Sequence, residues 1–104
     1  MTGIVSVYAV FASDEEASRI GRAMVEDRLA ACVNILGPCR SIYRWKGKVE
    51  EAQEVSAIFK TTAGQAPLLI RRIGALHSYD VPAAVAWPID HVAEPYRQWV
   101  RENS

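Results

Sequence analysis

The sequence has no net charge and no long apolar run, and these two absences exclude several classes of protein. Twelve basic residues balance twelve acidic ones among 104 residues, whereas proteins that select nucleic acid or anionic membranes present strongly basic surfaces. The longest unbroken apolar run extends from Val81 to Ile89, and a membrane-spanning helix needs roughly 20 such residues. We therefore expect neither a nucleic-acid partner nor a membrane span.

Cysteine is scarce as well. The two cysteines, Cys32 and Cys39, are too few for a disulfide framework. They stand in a segment that reads as extended, which would separate them by roughly 23 Å and place them on opposite faces unless the chain bends. We expect two free thiols. The opening residues Met1 to Gly3 lack the basic and apolar segments of a secretory signal, which predicts a cytoplasmic protein.

Several motifs that carry chemistry are missing. The chain contains no Cys-x-x-Cys, His-x-x-x-His or His-Glu-x-x-His spacing, so a structural zinc site or a metalloprotease is not supported. It also has no glycine-rich phosphate loop and no Gly-x-Ser-x-Gly elbow. These absences remove the commonest sequence signatures of an enzyme.

The residues that are present indicate one folded domain over positions 1–104. Half of them are apolar, and the length suits a single core. The stretch Ile4–Phe11 is β-branched and aromatic, which predicts a central strand covered on both faces. Ser13 then stands three residues before Glu16, which is a capping box for a helix that should end near Arg28.

The middle of the chain predicts a long β-hairpin. A strand over Ala30–Leu36 is interrupted at Gly37-Pro38 and resumes over Ser41–Trp45. Lys46-Gly47 is a plausible tight turn, and the return strand covers Lys48–Thr61. Because the return strand is polar at its start and apolar later, we expect the hairpin tip to project beyond the body of the domain.

The last third of the chain completes an α+β pattern. A second helix, opened by Pro67, presents Leu69 and Ile73 on one face, a last strand covers 83–89, and Pro95 starts a short C-terminal helix. The order βαββαβ predicts a ferredoxin-like antiparallel sheet with two helices on one face. The other face would expose more apolar surface than a monomer usually tolerates, so we expect a second copy of the chain to cover it.

The same strand order occurs in RNA-recognition domains, which need stacking aromatic residues in a basic motif on the third strand. In this chain that strand carries Glu50, Glu51 and Glu54 instead. RNA binding is therefore not expected.

Five residues are candidates for a functional role. His77 and Asp80 are a local histidine–carboxylate pair in the loop that leaves the second helix; they either cap that helix or bind a ligand. Tyr43 and Trp45 lie near the polar hairpin and serve either as a subunit contact or as the lining of a small-ligand cleft. Lys60 is either a solvated charge or an anion-binding group at a cleft mouth.

Four segments with a shared pattern run through the chain, followed by Tyr96 and Trp99. They are Asp27-Arg28-Leu29-Ala30-Ala31-Cys32-Val33-Asn34-Ile35, Ser41-Ile42-Tyr43-Arg44-Trp45-Lys46-Gly47-Lys48-Val49-Glu50, Lys60-Thr61-Thr62 and Leu76-His77-Ser78-Tyr79-Asp80-Val81-Pro82. This pattern resembles the signature of the CutA family of divalent-cation tolerance proteins.

The resemblance implies a homotrimer held by strand pairing through the long hairpin, with an architecture similar to PII signalling trimers. It implies a non-enzymatic protein concerned with tolerance of copper and other divalent metals. An alternative within the same resemblance is a PII-like sensor that binds a small ligand or a nucleotide in the clefts between subunits, with Tyr43, Trp45 and Lys60 as lining.

The resemblance also bears on the metal site. His77 and Asp80 match the histidine and first acid of the family's loop motif, whereas Ala83 stands where many members have a second acid. The segment Val10-Phe11-Ala12 lacks the cysteine that some members carry there. We therefore expect His77 and Asp80 to bind copper(II) or another divalent cation weakly.

Overall fold

The computed structural model describes all 104 residues and contains four strands and three helices. In chain order the elements are β1 (Ile4–Phe11), α1 (Asp14–Glu26), β2 (Cys32–Trp45), β3 (Lys48–Thr62), α2 (Ala66–Leu76), β4 (Ala84–Pro88) and α3 (Glu94–Glu102). This order confirms the predicted βαββαβ pattern with a C-terminal helix.

The four strands form one antiparallel sheet in the order β2-β3-β1-β4. Strand β1 lies between β3 and β4, as predicted for a central strand. Strand β4 lies at an edge, and its Val85 and Trp87 side chains are 47% and 49% exposed. This last strand is therefore not covered on both faces by the chain itself.

The core lies between one face of the sheet and helices α1 and α2. One buried cluster joins the β1 residues Val5, Val7, Ala9 and Phe11, the β3 residues Val55, Ala57 and Phe59, and Ile20, Met24, Leu69 and Ile73 of the two helices. The two helices thus cover one face, as the sequence predicts. Helix α3 covers only a corner of the opposite face, where Val100 packs with Ile4 and Ala31.

Helix α1 begins with the predicted cap. The backbone N–H of Glu16 donates to the Ser13 hydroxyl at 3.1 Å, which satisfies one of the unpaired donors at the helix start. The helix ends at Glu26, two residues before the predicted end, because Arg28 adopts a φ of 60° that cannot continue a right-handed helix.

The hairpin of β2 and β3 is long, with strands of 14 and 15 residues. Lys46 and Gly47 both have positive φ, at 50° and 80°, which is the backbone of the tight turns that suit twisted hairpins. Strand β2 is not interrupted at Gly37-Pro38. The chain passes that point through a bulge that leaves Leu36 unpaired.

The bulge changes the placement of the two cysteines. Cys32 pairs with Lys60 and Cys39 with Glu54, and these two partners are six residues apart on β3, so they share a face. The expectation of opposite faces is wrong because one inserted residue reverses the alternation of side chains. Both cysteines are free thiols, as predicted.

Two glycines inside helices differ in what surrounds them, and this difference predicts opposite results for the same substitution. A Cβ at Gly74 would have Pro82 Cγ as its nearest neighbour at 3.9 Å, whereas a Cβ at Gly21 would lie 3.0 Å from Val33 Cγ1. Gly74→Ala should raise the free energy of unfolding by about 0.5–1 kcal/mol, because alanine restricts the unfolded chain. Gly21→Ala should lose that gain, because Val33 must move. Urea denaturation of both variants at one protein concentration measures the difference, and equal stabilisation would contradict it.

Candidate functional site

A cleft of ≈ 580 Å³ opens between the hairpin and the loop that follows α2. Strands β2 and β3 form one wall, and the loop over residues 77–83 forms the other. Its lining residues are Val10, Ser41, Tyr43, Arg44, Trp45, Glu50, Glu54, Tyr79, Asp80, Val81 and Ala83. The size is within the range of small-molecule sites in proteins.

The structure brings together three of the five residues that the sequence singles out. Tyr43, Trp45 and Asp80 line the cleft. His77 lies behind the loop and is 9% exposed. Lys60 is not part of the cleft, and its ammonium group lies 3.5 Å from Asn34 Oδ1.

His77 connects the loop to the end of β1. Its Nε2 lies 2.8 Å from the carbonyl oxygen of Val10, and the backbone N–H of Tyr79 lies 3.1 Å from its Nδ1. Since a carbonyl only accepts and an N–H only donates, Nε2 carries the proton and the Nδ1 lone pair accepts. The ring also stacks on Phe11, with centroids 5.2 Å apart. Both ring nitrogens are therefore engaged within the chain.

Glu16 also holds this loop, a role that sequence reasoning missed. Its two carboxylate oxygens accept from the backbone N–H groups of Ala12 at 2.9 Å and Ser78 at 2.8 Å. Burial alone would raise the pKa of Glu16, but these two hydrogen bonds and the nearby His77 ring lower it overall. The capping box in the sequence indicates that Glu16 accepts a hydrogen bond near the helix start. Nothing local in the sequence indicates the bond from Ser78, which is 62 positions away.

Tyr79 joins the two walls of the cleft. Its hydroxyl donates to Glu54 Oε2 at 2.8 Å. Burial, together with this hydrogen bond and the Glu54 charge, raises the pKa of Tyr79 to about 12. The tyrosine therefore remains a neutral donor near neutral pH.

The cleft is acidic and contains no preformed metal centre. Glu50, Glu54 and Asp80 face a single basic lining residue, Arg44. No group of three or more His, Cys, Asp or Glu side chains in the chain is arranged to hold a metal ion. The chemistry available is that of separate carboxylates beside aromatic rings.

Outside the cleft, Tyr96 connects α3 to the start of β2. Its hydroxyl lies 3.5 Å from the Cys32 thiol, and its ring stacks on Trp99 with centroids 5.7 Å apart. Burial and the contact with Cys32 raise the pKa of Tyr96 to about 12. The contact with Cys32 links the C-terminal helix to the sheet.

This fold and cleft define a ferredoxin-like α+β protein with an acidic, aromatic-lined site beside the half of a long hairpin that is nearer its turn. The family model for the CutA1 divalent ion tolerance protein matches residues 5–103. The chain therefore belongs to the CutA1 family. No helix in it is long and apolar enough to cross a membrane.

Relatives and solved structures support this assignment. The divalent-cation tolerance protein CutA of Thermus thermophilus is 50% identical over 92 residues, which are 88% of this chain and 89% of that protein. Human protein CutA is 44% identical over 96% of this chain, but the match covers only 56% of the human protein. The Thermus thermophilus structure superposes with a TM-score of 0.94 at 46% identity, covering 97% of this chain and 98% of that one.

An archaeal structure shares the same fold. The protein from Archaeoglobus fulgidus, described as a periplasmic divalent cation tolerance protein, superposes with a TM-score of 0.93 at 36% identity. The superposition covers 96% of this chain and 97% of the archaeal chain. The four-stranded sheet with three helices is thus the architecture of solved CutA structures.

The Glu16 contacts predict a pH-dependent contribution to stability. Glu16→Gln should lower the free energy of unfolding by about 1.5–3 kcal/mol at pH 7, because an amide has one oxygen for two N–H donors. The lowered pKa of Glu16 means that the carboxylate stabilises the fold fully above its ordinary value of 4.5. This contribution decreases as the pH falls through the folded-state pKa.

Urea denaturation of the parent and of Glu16→Gln, at pH 7 and at a series of lower pH values, measures this contribution. The difference in stability should narrow as the pH falls. Glu15→Gln on the exposed face of the same helical turn is the matched control. A difference that stays constant with pH would contradict the role given to the Glu16 charge.

Proposed function

We propose that this protein contributes to divalent-cation tolerance as a homotrimer that binds cations such as copper(II) weakly in its acidic cleft. The observation that carries the proposal is the grouping of Glu50, Glu54 and Asp80 around one cleft in a chain of the CutA1 family. Carboxylate oxygens are suitable ligands for divalent cations, and imidazole suits copper. The protein would act by binding and not by catalysis.

His77 and Asp80 are the proposed metal ligands. Asp80 is exposed at the cleft wall, so its carboxylate can take a cation directly. His77 must first release the Tyr79 N–H from its Nδ1, since that lone pair is occupied. Because this hydrogen bond is lost on binding, the affinity of His77 for the cation is lowered. We therefore propose weak binding that is accompanied by a change in the loop.

A copper titration followed by NMR tests the metal proposal, because copper(II) broadens the resonances of nearby protons. The chain has two histidines, His77 and the exposed His91, so His91 is an internal reference. We expect His77 to broaden at lower copper concentrations than His91. Asp80→Asn should weaken binding about thirtyfold, the effect of losing ~2 kcal/mol between one negative charge and a doubly charged ion at roughly 4 Å in water.

Asp90→Asn, beside His91, is the matched control and should leave the broadening of His77 unchanged. Broadening of His91 alone, or an identical titration of Asp80→Asn and the parent, would contradict the assignment of His77 and Asp80.

The exposed apolar surface supports the proposed trimer. On the sheet face opposite α1 and α2, the Tyr8 and Trp87 rings lie 5.5 Å apart beside the exposed Val85. Strand β4 is also an edge with unpaired backbone groups, and such edges pair readily with another strand. On the hairpin, Ile42 and Val49 are 63% and 64% exposed. Covering these groups with further copies of the chain would remove the apolar surface from water.

Substitution at this surface tests the assembly. Trp87→Glu should shift the protein from trimer towards monomer, because association would bury the new charge. Leu68→Glu is the matched control, since Leu68 is 38% exposed on α2. Light scattering coupled to size exclusion measures the mass. A monomeric parent at micromolar concentration would contradict the trimer, and an unchanged Trp87→Glu mass would exclude this surface.

The second candidate function is a PII-like sensor that binds a small ligand in clefts between subunits. The ≈ 580 Å³ cleft with Tyr43 and Trp45 favours ligand binding. Its three carboxylates would repel the phosphates of a nucleotide, and Lys60 lies elsewhere, so the cation proposal ranks first. The cytoplasmic location expected from the sequence stays a prediction.

A further inference from the structure

The cleft has aromatic walls that a metal ion does not need. Tyr43, Trp45 and Tyr79 line it, and each is between 37% and 39% exposed. Aromatic rings offer no strong metal ligand, but their faces carry partial negative charge that attracts organic cations. The rings therefore add a recognition element of a different kind.

Each wall combines an aromatic ring with a carboxylate. Tyr43 is the direct cross-strand partner of Glu50, and directly paired residues project from the same face of the sheet. Tyr79 bonds to Glu54 and is followed by Asp80. The acids are thus spread around the cleft beside rings and are not gathered at one point, which agrees with the absence of a preformed metal cluster.

The charge environment of the cleft is unfavourable to anions. The raised pKa of Tyr79, to about 12, reflects burial and the negative charges of Glu54 and Glu16. Near the hairpin turn, the chain's own Lys46 ammonium lies 6.0 Å from the centre of the Trp45 ring. A positive charge can therefore occupy a position over this ring.

We propose that the cleft binds a small organic ammonium cation that has an apolar or aromatic body. The rings and carboxylates would hold the charged nitrogen, and Val10, Val81 and Ala83 would contact the carbon skeleton. A volume of ≈ 580 Å³ is far larger than a metal ion and suits such a molecule. This ligand class goes beyond cation tolerance and does not depend on metal binding by His77.

Three probes that share a phenyl ring on a short chain separate the effect of charge from that of shape. They are phenethylamine, which is cationic at pH 7, neutral 2-phenylethanol and anionic phenylacetate. The readout is the indole N–H resonance of Trp45 in the full-length protein. The other two tryptophans are internal references, in particular Trp99, which stacks on Tyr96 in α3.

The expected result is a saturable shift of the Trp45 resonance with phenethylamine and little or none with the other two probes. Glu50→Gln should weaken binding about fivefold, as expected for ~1 kcal/mol from one charge near the solvent. Trp45→Leu should weaken it by a similar factor through loss of the cation–π contact, monitored on the amide resonance of Asp80. Glu51→Gln, one residue from Glu50 on the opposite face of β3, should bind as the parent does.

Three outcomes would overturn the proposal. The first is the absence of a Trp45 shift up to millimolar phenethylamine. A cleft that is filled by a second copy of the chain would give this result. The second is equal binding of phenethylamine and 2-phenylethanol. The third is equal weakening by Glu50→Gln and Glu51→Gln. The copper titration reports on His77 and Asp80, so failure of either proposal is distinguishable from failure of the other.

Discussion

The structure depends on one constraint: the sheet has two faces, and the helices of the chain are too few to cover both. Helices α1 and α2 bury the centre of one face, where Val7, Ala9 and Phe11 are fully inaccessible. The opposite face receives only α3 at one corner. Because the chain has no further element to cover that face, its apolar residues either stay in water or meet another chain. The proposed trimer would cover these residues, and the cleft lies on the part of the sheet that the helices leave open.

The cleft exists because the loop after α2 is held against the end of β1. His77 and Glu16 supply that attachment through four hydrogen bonds, all of them to backbone groups. Buried polar groups with every partner satisfied specify one arrangement, since any shift leaves a donor or acceptor unpaired. The two residues therefore position the loop wall that carries Tyr79 and Asp80. His77 thus shapes the cleft without lining it.

Much of the fold could be predicted because it depends on local patterns: the capping box at Ser13, the turn at Lys46-Gly47 and the alternation of strand residues. The bulge at Leu36 could not be predicted, because it is a register adjustment between two strands that depends on how they twist together. In the site, the polar surroundings of Tyr43 and Trp45 left a subunit contact and a cleft lining open, and both residues line the cleft. The second partner of Glu16 was not predictable, because it comes from a loop distant in sequence.

The charges of the chain also show what the sequence reveals directly and what only folding brings about. Twelve acidic and twelve basic residues cancel, and this balance argues against a partner attracted by bulk charge. Folding nevertheless sorts those charges, because it brings Asp80 from the loop to the same cleft as Glu50 and Glu54 of β3. Potentials focused within a cleft act on a ligand more strongly than the net charge of the protein. The ligand proposed for this neutral chain is therefore a small cation that enters the cleft. The net charge of the sequence alone does not reveal this ligand.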